Sequence, residues 1–427
     1  MKRRQPKEGD SVFMEILVII AVIIAAYMAW NIGANDVANS MACAVGSRSL
    51  TVFWAVVLAG LANFLGAVLV GSHVTDTVRK GIIDTGAFTE DPRVLAHGMV
   101  CAMLGAAVCL NLASYFGMPV STTHSIVGGI IGFGILRAGC GNIHWAKLGQ
   151  IIASWFISPL CGGIMGFVIF KLISRHILSV EKPAEAARKG VPVCFFVTFT
   201  VLILSIIYKG LKNINLDMDA PRALGFSVIG GFISAGVAKF LIKRKHVCSG
   251  DWSLEHQLQH VEQMFGLLVV ITACTVAFAQ GANDVANAIG PLAAVAEIVK
   301  NNSVPGKVPV SIWFLVLGGS GIAVGLSTFG YRVMRLVGTK VTEITPSRGA
   351  AANIGGMITV LACSKMGLPV STTHTLIGAI LGVGLARGIT AIDRKIVGSI
   401  FSSWMATIPV AAGLTVLFYL VAKWLFW

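Results

Sequence analysis

Gly33-Ala-Asn35-Asp36-Val-Ala-Asn39 is written again, letter for letter, at Gly281-Ala-Asn283-Asp284-Val-Ala-Asn287. A second pair accompanies it: GMPVSTTH over Gly117 to His124 and GLPVSTTH over Gly367 to His374. The two pairs are offset by 248 and 250 positions, so spacing within each half is nearly conserved. Past the second motif, residues 117–139 and 367–389 share 12 of 23 positions, and Gly71-Ser-His-Val74 faintly matches Gly330-Tyr-Arg-Val333. The chain is an internal duplication, and this decides its architecture.

The surroundings of the motifs are apolar. Hydrophobic residues make up 56% of 427 positions and charged ones 12%, against about a quarter in soluble proteins. Apolar segments fall at about 15–47, 50–71, 94–116, 120–136, 148–172, 191–208, 224–242, 265–299, 309–328, 349–365, 368–386 and 396–426. Most approach the ~20 residues needed to cross a hydrocarbon core. The expected fold class is therefore an all-α polytopic membrane protein with about 12 transmembrane helices in two inverted repeats containing broken helices. Segments 1 and 8 are too long for simple helices, and a glycine break is expected in each at Gly33 and Gly281.

The domain reading is a basic tail (1–14), a first transmembrane repeat (15–172), a linker with two helices and basic loops (173–264), and a second repeat (265–427). Seven crossings separate the equivalent starts, and seven is odd, so the copies lie upside down relative to each other. The first apolar run has no small-residue cleavage site and reads as a retained span. The formal charge of +14 does not imply nucleic acid. Basic residues gather in loops at 171–189 and 243–245, where membrane proteins carry them, and these clusters favour both termini lying outside. The nine cysteines lack a C-x-x-C pair and read as small buried hydrophobes.

An ionised carboxylate at membrane depth costs ~2.5–3.5 kcal/mol on insertion scales. Asp36 and Asp284 therefore call for a cation, a proton or a fixed donor, and the carbonyls of Asn39 and Asn287 are hard oxygen ligands for an alkali cation. Interhelical hydrogen-bond glue would explain one asparagine but not two seven-residue identities, each with an acid. In the second motif, Pro119 and Pro369 end one helix and start the next. Ser121, Thr122, Thr123 and Ser371, Thr372, Thr373 then place hydroxyls on a helix N-terminus, an anion-favouring end. Plain N-capping needs a single hydroxyl, not three in a row, twice. His124 and His374 read as hydrogen-bonded neighbours of the ligands, as does Gln280. Gly128, Gly132, Gly378 and Gly382 read as close-packing points. Each repeat thus brings one cation-favouring and one anion-favouring half-site, and cations would offset the repulsion between the acids and an anion.

At these residues the chain resembles the inorganic phosphate transporter (PiT) family over nearly its whole length, including Gly330 to Gly349. The resemblance implies a twelve-helix inverted-repeat symporter that carries inorganic phosphate with sodium or protons in the cell membrane, commonly as a homodimer. It places Asn35, Asp36, Asn283 and Asp284 in the ion and phosphate site and the Ser/Thr triplets against phosphate. Gln280 stands where a histidine is frequent, and Ile32 takes the corresponding first-repeat place, which removes a candidate proton carrier. Sodium is favoured as the coupling ion because the Asn–Asp–Asn oxygen clusters match its coordination. No other cofactor, no resident metal and no covalent chemistry is expected. The alternatives are a sulfate permease of the same fold and a passive anion channel; no nucleophile or metal cluster supports an enzyme.

Overall fold

The computed structural model describes residues 8–71, 82–210, 218–245, 252–304, 308, 310–340, 343–365, 370–388 and 393–426. Each of the twelve apolar segments is a helix: α1 (Glu8–Gly46), α2 (Val52–Val70), α3 (Pro92–Tyr115), α4 (Thr122–Ala138), α5 (Trp145–Ile173), α6 (Pro183–Gly210), α7 (Ala220–Lys245), α8 (Leu254–Asn301), α9 (Ile312–Thr328), α11 (Pro346–Lys365), α12 (Thr372–Arg387) and α13 (Arg394–Phe426). An additional helix, α10 (Tyr331–Lys340), is not marked by hydropathy because its apolar residues occupy only one face. Eight of the described helices are long and apolar enough to cross a bilayer. Large side chains such as Ile23, Leu61, Phe156, Leu160 and Phe232 stand exposed on outer faces, which is where lipid contacts a membrane protein.

The expected glycine breaks are absent. α1 runs 39 residues and α8 48 residues without interruption through both GANDVAN motifs. The glycines serve clearance instead. A Cβ on Gly33 would fall 1.9 Å from the Ile322 carbonyl oxygen, and one on Gly281 would fall 2.0 Å from that of Asn63. Backbone meets backbone there, and no side chain fits.

The chain breaks at the second motif. α3 ends at Tyr115, Gly117 takes a left-handed φ of 73°, and α4 begins only at Thr122. Ser121 is the N-cap: its hydroxyl accepts from the His124 amide at 3.3 Å. Ser371 caps α12 through the His374 amide in the same way. Pro369 and Gly367 lie outside the described residues.

Packing follows a two-fold pattern that crosses the repeats. α1 and α8 lie along each other at the centre; α1 packs on α9, and α8 packs on α2. The α3–α4 hairpin is held by α13, while the α11–α12 hairpin is held by α5. Each repeat's last helix therefore clasps the other repeat's hairpin. The expected glycine faces make these clasps: a Cβ on Gly382 would lie 1.9 Å from the Gly163 carbonyl oxygen, and one on Gly132 would lie 2.6 Å from that of Ala412. α6 and α7 pair with each other, and α6 leans on α8. This crossing brings the starts of α4 and α12 and two mid-helix acids to one place.

Candidate functional site

Asp36 sits on α1 and Asp284 on α8, 3% and 5% exposed, and their carboxyl groups lie close enough to interact with each other. The other partners of Asp36 are neutral: Asn39 Nδ2 donates to its Oδ1 at 3.1 Å, and Thr122 Oγ1 donates to its Oδ2 at 3.4 Å. Among the described residues, no lysine or arginine pairs with Asp36. A buried acid beside a second acid, with only neutral donors around it, is an arrangement that a proton or a metal cation can complete.

The asparagines reach across the duplication. Asn39 Nδ2 also donates to Thr373 Oγ1 of the other repeat at 2.8 Å. Asn287 Nδ2 donates to Thr122 Oγ1 and Thr123 Oγ1, both at 3.2 Å, and to Asp284 Oδ1 at 3.5 Å. Thr373 Oγ1 in turn donates to the Val120 carbonyl at 3.4 Å. Each cation-favouring half-site is thus wired to the opposite repeat's threonines. Asp36 keeps Thr122 of its own repeat, so the exchange is made by the asparagines, and the tertiary crossing shows it.

Other motif residues take different parts. Asn35 clamps the hairpin tip: Nδ2 donates to Ser114 Oγ and to the Met118 carbonyl, both at 3.0 Å, and Oδ1 accepts from the Val120 amide at 3.0 Å. Its amide fixes the turn that presents Ser121 to Thr123. Ser121 and Ser371 use an oxygen lone pair for capping, which leaves their O–H free to turn inward. Asn283 occupies the equivalent of Asn35 on α8 and is half-buried.

Several buried polar atoms have no protein partner among the described residues: Asn39 Oδ1, both amide atoms of Gln280, His124 Nδ1, and both ring nitrogens of His374. Buried polar groups are nearly always paired, so such a cluster marks a place where a solute or water binds. The donor set is hard oxygen throughout, from carboxylates, an amide carbonyl and threonine hydroxyls, which fits an alkali cation. Thr372 and Gln280 open onto a cavity of about 50 Å³ that is also bordered by Thr275, Ser205, Gly356 and Leu376. This cavity is walled by α6, α8 and α11.

His124 and His374 meet edge to face with ring centroids 4.9 Å apart. Their place on the pseudo-two-fold is framed by tryptophans. His374 stacks on Trp404 at 3.8 Å, and His124 lies 5.3 Å from Trp155. Trp404 Nε1 also donates to the Pro119 carbonyl at 2.8 Å, pinning the first hairpin tip. Neither tryptophan belongs to the motifs singled out from the sequence, although Ser154-Trp155 and Ser403-Trp404 repeat at an offset of 249. Carrying the self-comparison one helix further reveals them.

Comparisons with known proteins identify the family. Residues 32–415 match the model of the phosphate transporter family. A putative phosphate permease of Pyrococcus abyssi is 44% identical over 398 residues, covering 93% of this chain and 96% of that one. The chloroplastic inorganic phosphate transporter 2-1 of Arabidopsis thaliana is 39% identical, covering 98% of this chain and 74% of that protein. A solved structure described as the sodium-dependent phosphate transporter superposes with a TM-score of 0.87 at 37% identity, covering 96% of this chain and 99% of that one. The fold, the paired motifs in one chamber and relatives across nearly the whole length lead to one conclusion: this multi-pass protein of the cell membrane belongs to the phosphate transporter family and is not an enzyme.

Proposed function

We propose that the chain imports inorganic phosphate by symport with a cation, sodium in preference to a proton, through alternating access. The observation that carries this reading is the burial of Asp36 and Asp284, one from each repeat, at the place where each repeat's asparagine reaches the other's threonines.

Two ionised carboxylates about 4 Å apart repel by roughly 4 kcal/mol at an effective dielectric near 20. A phosphate anion entering the same chamber adds further repulsion. Sodium ions coordinated by Asp36, Asn39, Asp284 and Asn287 remove both costs, so cation binding makes anion binding favourable and the reverse. The hydroxyls of Thr122, Thr123, Thr372 and Thr373, the free O–H groups of Ser121 and Ser371, and the helix ends they sit on receive the phosphate oxygens. Asn35 holds the first hairpin tip in register, and Asn283 is the matching residue on α8. His124 and His374 pack behind the triplets, and Gln280 points a spare amide toward the path. The solved relative's sodium dependence supports the cation assignment.

The test is phosphate uptake into proteoliposomes, with sodium, pH and divalent metals varied separately. Concentrative uptake driven by a sodium gradient is expected. Uptake driven by a proton gradient alone, indifferent to sodium, would overturn the coupling. Excess sulfate that abolishes labelled-phosphate uptake would favour the broader oxyanion permease, and equilibration without accumulation would indicate a passive channel.

A further inference from the structure

Two cavities flank the chamber at different levels of the α11–α12 hairpin. The first, described above, borders Thr372 and Leu376 on α12 and Gly356 on α11. The second holds about 10 Å³ and is bordered by Cys43, Arg348, Gly349, Ile380 and Val383. From Thr373 to Ile380 is about 10 Å along a helix at ~1.5 Å per residue. The second cavity therefore lies further along α12, about two helical turns past Thr373. The seam between them passes Asn353, fully buried, whose Nδ2 donates to Thr272 Oγ1 at 3.0 Å and whose Oδ1 has no protein partner among the described residues. On α1, Cys43 comes one helical turn after Asn39.

Over the outer end of this seam, two arginines converge on one carboxylate. Glu343 Oε2 accepts from Arg387 Nη2 at 3.0 Å and from Arg348 Nη1 at 3.3 Å. Its backbone carbonyl accepts from both guanidiniums, each at 3.3 Å. The arginine side chains are only 21% and 25% exposed, whereas that of Glu343 is 75% exposed. Glu262 of α8 anchors the base by accepting from the Ser347 amide at 2.8 Å and its hydroxyl at 2.7 Å. The cations are thus built into the wall, and the carboxylate lies on them from outside. Paired guanidinium forks are the arrangement that suits phosphate oxygens.

We propose that Arg348 and Arg387 form a transit site for a tetrahedral oxyanion at the mouth of the pathway on this face, and that Glu343 occupies it as a tethered stand-in, keeping the mouth shut until displaced. The proposal rests on the phosphate-transport reading above. It adds a second anion site, outside the chamber, and a self-inhibited gate.

Cys43 reports on the gate because it lines the cavity beneath it and is 1% exposed. The experiment uses full-length protein with Cys43 and the exposed Cys140 retained and the other seven cysteines replaced by alanine. Labelling by a charged thiosulfonate reagent is followed by mass spectrometry, with Cys140 as the internal reference. Glu343→Gln is expected to raise Cys43 labelling at least about fivefold, the equivalent of breaking a networked ion pair. Inorganic phosphate should slow that labelling in Glu343→Gln. It should lose this effect when Arg387→Gln is added. Unchanged labelling in Glu343→Gln overturns the gate, and labelling that rises without phosphate protection overturns the anion site. Unaltered Cys140 labelling and melting temperature confirm that the variants are folded. Labelling needs no transport, so a failure here leaves sodium-driven uptake as an independent test of the chamber.

Discussion

Replacing Asp36 by asparagine should make the protein more stable without sodium and worse at transport. The substitution keeps side-chain size and removes one of two neighbouring acids that are 3% and 5% exposed. By the Coulomb figure above, about 4 kcal/mol of repulsion disappears when both are ionised, less whatever a shared proton already relieves. The wild-type protein recovers that free energy only by binding cations, so sodium should stabilise it by RT ln(1 + [Na⁺]/Kd), about 2.7 kcal/mol at a hundred times Kd. The assay is thermal unfolding in detergent, with sodium replaced stepwise by choline at constant ionic strength. The wild-type melting temperature should climb with sodium. Asp36→Asn should begin at or above the sodium-free wild-type value and climb far less, while sodium-driven phosphate uptake falls at least tenfold. A variant that is less stable than wild type without sodium, yet keeps the full sodium-dependent rise, would refute the electrostatic account of the pair.

Other expectations concern the supporting residues. Gly281→Ala forces a Cβ to within 2.0 Å of the Asn63 carbonyl oxygen, so it should cost about 1–3 kcal/mol and reduce the folded yield measured by size exclusion. Ser371→Ala removes a cap worth ~1 kcal/mol, whereas Thr373→Val removes a hydroxyl that Asn39 contacts at 2.8 Å. The first should lower melting temperature more than affinity, and the second should raise the KM for phosphate with little change in melting. The Glu343 carboxyl is held below the ordinary carboxylate range by Arg348 and then Arg387. A depressed value means the pairing persists above the ordinary pKa and is lost only as pH falls through the lowered one. Cys43 labelling relative to Cys140 should therefore stay flat from pH 8 to about pH 5 and rise only in stronger acid.

Much of the fold is legible because membrane crossing imposes long apolar runs, and all twelve emerge as helices. Helix α10 escapes because a one-sided apolar pattern over ten residues does not raise mean hydropathy. The motif glycines are more instructive. Gly33 and Gly281 look like helix breakers in a linear reading, since glycine is a poor helix former. In a packed bundle the same missing side chain permits a backbone crossing, and the crossing preserves the helix. Asn35 shows a similar limit: its motif mates Asp36 and Asn39 face the acids and threonines, but Asn35 points at a hairpin tip 79 to 85 residues away.

By itself the sequence determined that this protein is a duplicated, membrane-embedded helical bundle with two acids and two hydroxyl triplets, because hydropathy, repetition and residue chemistry are local properties written along one dimension. Only the tertiary structure decided which copies touch. Side chains of Asn39 and Thr373 come together from positions 334 residues apart because each repeat's last helix clasps the other repeat's hairpin, and no spacing within either half encodes that exchange.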